Sequence, residues 1–359
     1  MQLDTIVCGD CVDWLKTLPD NSVDLIATDP PYFKVKSEAW DRQWDKPAQF
    51  LAWLDGVAAE WARVLKPNGS LYCFASPRMA ARVEVMLAER FNVLNHVVWA
   101  KPRYSTKAEM FRKSDLRLFF PSSEAIIFCE HYGADNAAKG EAGYGAKCDE
   151  LRGFVFEPLR AYLRGEFDRA GIHIGEANVF CGTRSMAARH YFTRSQWCLP
   201  TPEHYSSLQR GLNSGCNGQG PQYLRREYED LRREYEDLRR EYEDLRRPFT
   251  VSADVPYTDV WTFPTVQAYS GKHSCEKPLA MMEHIVTASS RPAGVVLDCF
   301  AGSGTSLLAA YLNDRHYIGC ELDPHWADYA RARIANARGP LFANLEKETQ
   351  AQINLPFPP

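Results

Sequence analysis

No stretch of the 359 residues is apolar for long enough to cross a bilayer. The opening MQLDTIVCGD lacks the basic stretch and the apolar run of an export signal, so the chain reads as cytoplasmic. A basic surplus is also missing. The formal net charge is −4, which disfavours a polyanionic partner if the charge is evenly spread. It is not evenly spread: residues 97–200 hold 15 Lys and Arg against 12 Asp and Glu, so the remainder is distinctly acidic. Cysteine is not scarce, at 11, but metal-ligand spacing is. Cys8 and Cys11 form a CxxC pair with no second Cys or His pair to complete a zinc site. No metal is expected, and the cysteines read as free thiols.

Strand and helix signals alternate at both ends of the chain. Residues 23–28 form an apolar strand stopped by Asp29-Pro30-Pro31-Tyr32, because proline cannot continue a central strand. Residues 48–65 have helical spacing and end at Lys66-Pro67-Asn68-Gly69. A strand from 69, a helix over 78–90 and a strand over 93–99 follow. After about 270 the alternation resumes: helix 278–290, strand 294–299, helix 302–313, strand 317–321 and helix 325–337. This pattern predicts a parallel α/β sheet. Between the two halves it is lost, which predicts one domain carrying an insertion.

That middle region contains a repeat. Leu-Arg-Arg-Glu-Tyr-Glu-Asp occurs at 224–230, 231–237 and 238–244, followed by Leu245-Arg246-Arg247. Leucines and tyrosines alternate at spacings of four and three, a heptad seam on a helix of about 36 Å. Arg226 with Asp230 and Glu229 with Arg233 are the expected ion pairs. The seam suits either packing within the chain or a coiled coil with a second subunit.

Two motifs carry chemistry. Phe300-Ala301-Gly302-Ser303-Gly304-Thr305 follows the strand Val295-Val296-Leu297-Asp298-Cys299. Glycines at such a turn let the backbone approach a ligand at the C-terminal edge of a parallel sheet. A second strand ends in Glu321, an acidic side chain placed to take the ribose hydroxyls of an adenosyl group. The third glycine of a dinucleotide fingerprint would fall at Leu307, so that reading is weaker. In Asp29-Pro30-Pro31-Tyr32, a carboxylate and a rigidly held carbonyl can accept from the two N–H groups of an exocyclic base amine. They would draw its delocalised lone pair toward a tetrahedral nitrogen. Tyr32 offers a ring face on which an extruded base can stack.

Asp-Pro-Pro-Tyr preceding Phe-Ala-Gly-Ser-Gly-Thr resembles the β-class amino-methyltransferases of bacterial DNA modification. The approach Leu18-Pro19-Asp20-Asn21-Ser22, the segment Val97-Val98-Trp99-Ala100-Lys101-Pro102, the run His273–Glu276 with Lys277-Pro278-Leu279, and Gly319-Cys320-Glu321-Leu322-Asp323 are similar to further family segments. The resemblance implies an α/β, Rossmann-like S-adenosylmethionine-dependent methyltransferase sheet with circularly permuted motif order, and an inserted, mostly helical target-recognition domain. The catalytic domain would be residues 1–102 and 271–340, and the insertion 103–270. It implies catalytic Asp29, Pro30, Pro31 and Tyr32, with S-adenosylmethionine held by Asp10, Cys11, Asp29, Lys277, Pro278, Phe300, Ala301, Gly302, Ser303, Gly304, Thr305 and Glu321. An Asp at the first position favours N6 of adenine. N4 of cytosine, or a methyl acceptor in RNA or protein, are the alternatives.

Within the insertion, short helices over 157–170, 175–181 and 185–192 suggest a helix-turn-helix across 157–194. Thr183, Arg184, Ser185, Arg189, His190 and Arg194 would then face double-stranded DNA. Lys101, Arg103 and the basic run to Arg117 would track phosphate. The heptad helix is expected over 222–247. A homodimer on a palindromic or near-palindromic site follows if two such modules are related by a two-fold axis.

Overall fold

In the computed structural model the described residues are 1–35, 38, 41–101, 117, 119, 122–131, 151–215, 222–251 and 257–337. The chain divides into two compact units, one of residues 1–133 with 247–359 and the other of residues 134–246.

The first unit is built on an eight-stranded sheet. Its strands are β1 (Thr5–Cys8), β2 (Val23–Thr28), β3 (Leu65–Ala75), β4 (Phe91–Ala100), β5 (Ser123–His131), β6 (Val260–Trp261), β7 (Val295–Asp298) and β8 (His316–Glu321). The order across the sheet is β1-β8-β7-β2-β3-β5-β4-β6. The first five are parallel, whereas β5 runs antiparallel to both β3 and β4. Central β2 is apolar on both faces. Ile26 packs with helices α1 (Cys11–Leu15), α2 (Pro47–Val64) and α3 (Ala80–Ala88), through Leu15, Leu54, Trp61 and Leu87. Leu25 and Ala27 face the opposite layer, which in chain order later holds the C-terminal helices; Met281, Ile285, Leu307 and Ile334 fill it. Helices on both faces explain why the strand reads as a continuous apolar run.

The expected borders at 102 and 271 do not hold, because β5 and β6 both belong to the sheet. β5 has a clear apolar run, Ala125-Ile126-Ile127-Phe128-Cys129, all buried. It escapes the sequence pattern because it returns antiparallel beside β4, with no crossover helix to produce alternation.

The second unit contains α4 (Glu157–Ala170), α5 (Glu176–Phe180), α6 (Met186–Phe192), α7 (Pro202–Leu212) and α8 (Tyr228–Leu245). The first three coincide with the expected short helices. Gly171 ends α4 at φ +67°, and Gly182 turns the chain between α5 and α6 at φ +63°. Phe167 of α4 meets Phe192 of α6 edge-on at 4.9 Å.

The heptad helix is shorter than expected, at 18 residues or about 27 Å. The first copy of the repeat is mostly unwound. Tyr205 Oη donates to the carbonyls of Leu224 (3.3 Å) and Arg226 (2.8 Å), and Gln209 Nε2 donates to Leu224 O (2.7 Å). Glu166 accepts from Leu224 N, and Leu224 itself lies at φ +52°. Backbone groups held this way cannot join a helical ladder. The seam is used inside the unit: Leu231 and Tyr242 are buried, and Phe156 stacks on Tyr235 at 5.4 Å. The coiled-coil alternative is therefore corrected. So are the ion pairs, since Arg226 reaches Glu234 and Arg233 pairs with Asp230.

The remaining helices belong to the first unit: α9 (Leu279–Ser289), α10 (Thr305–Leu312) and α11 (Pro324–Ala337). Among the described residues, no helix is long and apolar enough to cross a membrane.

Candidate active site

The C-terminal ends of β2, β7 and β8 open onto a cavity of about 590 Å³. It is lined by the Asp29–Tyr32 turn, the glycine turn from Phe300 to Ser303 with Thr305, Glu321, and Asp10 with Cys11 after β1. His273, Glu276 and Lys277, from the segment that enters α9, complete it together with Trp53 and Trp326. Volumes of about 300–1,000 Å³ are usual for small-molecule sites.

The glycine turn has specific backbone demands. Gly302 and Gly304 lie at φ +50° and +74°, and Gly304 caps α10 in the left-handed region. A Cβ on Gly304 would stand 2.8 Å from Ala330 Cβ of α11. Glu321 fixes the turn from the neighbouring strand: its Oε2 accepts from Gly302 N at 2.7 Å and its Oε1 from Asp323 N at 3.0 Å. Burial raises the Glu321 carboxyl above the ordinary range, while these N–H donors pull it back. Asp298 sits beneath the turn, accepting from Thr28 Oγ1 (2.8 Å), Phe300 N (3.1 Å) and Ser306 Oγ. Its burial pushes it up to about 6.

Around Asp29 the charges interlock. Lys277 Nζ donates to Asp29 Oδ2 and lies 3.5 Å from Glu124 Oε2. Glu124 also accepts from the Tyr32 hydroxyl at 2.9 Å and from Lys101. Asp29 Oδ1 is shut off from solvent and has no hydrogen-bond partner. Burial, with Glu124 adding to it, raises the Asp29 carboxyl, while Lys277 opposes the rise. Burial acts on Glu124 in the same direction, but Lys277 and Lys101 outweigh it and hold that group at about 2. Behind Tyr32, the buried Asp41 accepts from Tyr32 N (2.7 Å) and Val35 N (2.6 Å) and so shapes the loop that follows the turn.

Several expected residues have other occupations. Asp10 caps α1 by accepting from Val12 N (2.9 Å) and Asp13 N (3.1 Å), although it also borders the cavity. The Cys11 thiol is buried and raised to about 12. Pro278 caps α9, and Lys277 ahead of it points its ammonium at Asp29. Lys101, expected to track phosphate, pairs with Glu124. Arg103 and residues 102–116 lie outside the described residues. In the second unit Arg184, Ser185, Arg189 and Arg194 are exposed. Thr183 instead bonds Asn178 Oδ1 (3.1 Å) and the amide of Ala187, while His190 Nδ1 lies 3.1 Å from Gln196 O.

Sequence reading missed Glu124, Asp41 and Arg333. Arg333 pairs with the buried Glu276 at 3.2 Å and donates to Ser303 O (3.1 Å) and Thr305 Oγ1 (3.0 Å), tying the entry to α9 to the glycine turn. Glu124 and Arg333 act on residues distant in sequence, and Asp41 acts on the Tyr32 and Val35 amides through a loop that carries no periodic pattern.

The sequence model of the DNA methylase family, N6_N4_Mtase, matches residues 23–332. The chain belongs to that family. The methylase is 25% identical over 338 residues to the DNA adenine methyltransferase YhdJ of Escherichia coli (strain K12), covering 92% of this chain and 82% of that protein. It is 21% identical over 364 residues to the Type II methyltransferase M2.MboI of Moraxella bovis, covering 96% and 93%. Among solved structures, the cytosine-N4-specific PvuII DNA methyltransferase superposes with a TM-score of 0.50 at 12% identity, over 92% of this chain and 89% of that one. The last likeness bears on the fold. The methylase is a DNA methyltransferase of the N6/N4 family.

Proposed function

We propose that the methylase transfers a methyl group from S-adenosylmethionine to N6 of an adenine flipped out of double-stranded DNA at a specific sequence. One observation carries this reading. Asp29 Oδ1 is a buried acceptor with no partner, in a proline-stiffened turn that lines the cavity together with Tyr32. An orphan of that kind costs about 1–3 kcal/mol until a donor meets it, and an exocyclic amine is such a donor. The choice of adenine rests on Asp29 standing first in the motif, together with the adenine specificity in the name of the E. coli relative.

The cavity's chemistry fits the donor. Among the described residues, Asp10, Asp29, Glu276, Asp298, Glu321 and Asp323 line it against one lysine, Lys277. That balance suits a cationic ligand and opposes the phosphates of a dinucleotide. When bound, S-adenosylmethionine supplies an electrophilic methyl on a sulfonium. Glu321 would hold the ribose, the Phe300–Thr305 turn would lie against the ligand, and Asp29 with Pro30 would orient the amine; these are effects of position and charge.

The second unit is the proposed target-recognition module, with α6 as recognition helix and Arg184, Ser185, Arg189 and Arg194 toward the duplex. A homodimer on a palindromic or near-palindromic site remains part of this reading, with an interface other than the heptad seam. The methylase would act in the cytoplasm, on nucleoid DNA.

The test is methylation-sensitive sequencing of DNA from cells with and without the protein. N6-methyladenine at one sequence is expected. Asp29→Ala should abolish it while donor binding, measured by calorimetry, survives. N4-methylcytosine at one sequence would reassign the base. Unmodified DNA alongside methylated RNA or protein would overturn the reading.

A further inference from the structure

The groups around Asp29 come from four separate parts of the chain. Lys277 precedes α9, Glu124 stands on β5, Lys101 follows β4 and Tyr32 follows β2. The Lys277 ammonium is buried, 5.3 Å from the Tyr32 ring centre and 4.9 Å from that of Phe74. It binds one oxygen of Asp29, and the other oxygen is the orphan. A carboxylate anchored by one oxygen points its second in a fixed direction. A buried carboxylate also needs a cation nearby to stay ionised.

We propose that Lys277 and Glu124 are positioning residues for amine methylation. Lys277 anchors Asp29 Oδ2 and favours its ionised form. Glu124 holds both Lys277 and the Tyr32 hydroxyl, so that Asp29 Oδ1 is the oxygen left to accept from the target amine. The inference rests on the methyl-transfer reading above.

The groups facing Asp29 have opposed effects. Burial disfavours its ionised form, Lys277 and the Tyr32 hydroxyl favour it, and Glu124 disfavours it. Asp298 on β7 stands close enough for Asp29 to raise it, and Cys73 on β3 is a thiol that burial and Asp29 keep protonated. Tyr32 is held neutral by burial, with Asp29 and Glu124 adding to the effect. Removing the cation must therefore move Asp29 in one direction, and removing the neighbouring anion must move it in the other.

Two readouts test this in the full-length protein. In the free enzyme, carboxyl-labelled aspartate is titrated by carbon NMR, with Asp29→Asn assigning the signal. With DNA and S-adenosylmethionine, kcat/KM is followed against pH. Lys277→Met should raise the Asp29 titration and the acid limb by roughly 1–3 pH units, so that activity lost at neutral pH returns in alkali. Glu124→Gln should lower the titration and reduce kcat. Lys277→Arg should restore the wild-type limb. An Asp29 signal that stays in place in Lys277→Met, or a lower rate with an unmoved limb, would overturn the proposal. If Lys277→Met does not fold, Glu124→Gln decides the matter: a downward shift supports the proposal, and none refutes it. A wild type that titrates as described yet methylates no DNA would refute the functional reading and leave the electrostatic arrangement standing.

Discussion

Gly304→Ala should destabilise the sheet unit through a contact that can be read from the structure. The residue sits at φ +74° and ψ +22° as the cap of α10. An alanine in that left-handed conformation costs about 1–2 kcal/mol. Its Cβ would also stand 2.8 Å from Ala330 Cβ and 3.3 Å from Ala330 Cα. These are short or backbone atoms on α11, with no flexible side chain to swing aside, and overpacking of this kind costs about 1–3 kcal/mol. The total, about 2–5 kcal/mol, corresponds to a Tm lower by roughly 4–20 °C for a unit of this size. Gly302→Ala is the comparison. Its φ is +50°, but its Cβ would meet the His273 ring at 3.2 Å, and a ring can turn. Gly302→Ala should therefore lose less stability and more donor affinity, because that Cβ lies at the cavity. Scanning calorimetry gives the Tm values, and titration calorimetry with S-adenosylmethionine gives the affinities. A wild-type Tm for Gly304→Ala would refute the packing argument. Equal losses in the two variants would assign everything to backbone strain and nothing to the contact with α11.

Two further outcomes follow from the site. Glu321→Ala should weaken S-adenosylmethionine by about ten- to a hundredfold, the effect of losing one charge-assisted acceptor at about 1.5–3 kcal/mol, and an unchanged Kd by calorimetry would place the ribose contact elsewhere. Asp298 binds its proton more tightly when folded, at about 6, than in the unfolded chain, at about 3.9. The native state then holds the extra proton, so stability falls as pH rises from about 4 to 6. Relative to Asp298→Asn, the wild type should lose about 3 kcal/mol across that window; urea denaturation at several pH values giving a constant difference would contradict this.

The glycine turn and the Asp29–Tyr32 turn are legible in sequence because their chemistry is local: proline stops a strand, and glycine permits a positive φ beside a ligand. The acidic end of β8 is legible for the same reason. Glu124 is not, because its role comes from β5 returning antiparallel beside β3, a pairing that no local periodicity announces. Arg333 is hidden in the same way, by partners on distant segments. The heptads show the opposite limit. Three copies of one heptapeptide were expected to share one conformation, yet the first is largely held open by Tyr205, Gln209 and Glu166 while the others are helical. Propensity is the same in all three, so the difference must come from tertiary partners.

The register of the sheet explains how a site can be divided between distant parts of a chain. Ile26 of β2 pairs with Leu297 of β7, and Leu297 pairs with Ile318 of β8. Three residues further along each strand direction stand Asp29, Phe300 and Glu321, one row across three parallel neighbours. Strands lie about 4.8 Å apart, so the outer two members of that row are separated by about 10 Å. Cys8 of β1 continues the row beside Glu321, which puts Asp10 and Cys11 at the same edge. On the other side β3 brings Ser76 to the edge just past Ala75, which pairs with Ala125, so the antiparallel return of β5 carries Glu124 there. Asp29, the glycine turn and Glu321, the residues proposed to take the amine and the donor, are thus placed by pairing register, and their order along the chain is immaterial to it. A one-residue slip between β2 and β7 would turn the apolar faces of β2 over and move Asp29 out of the row at the same time. The packing that holds the core therefore also fixes the separation on which the chemistry depends.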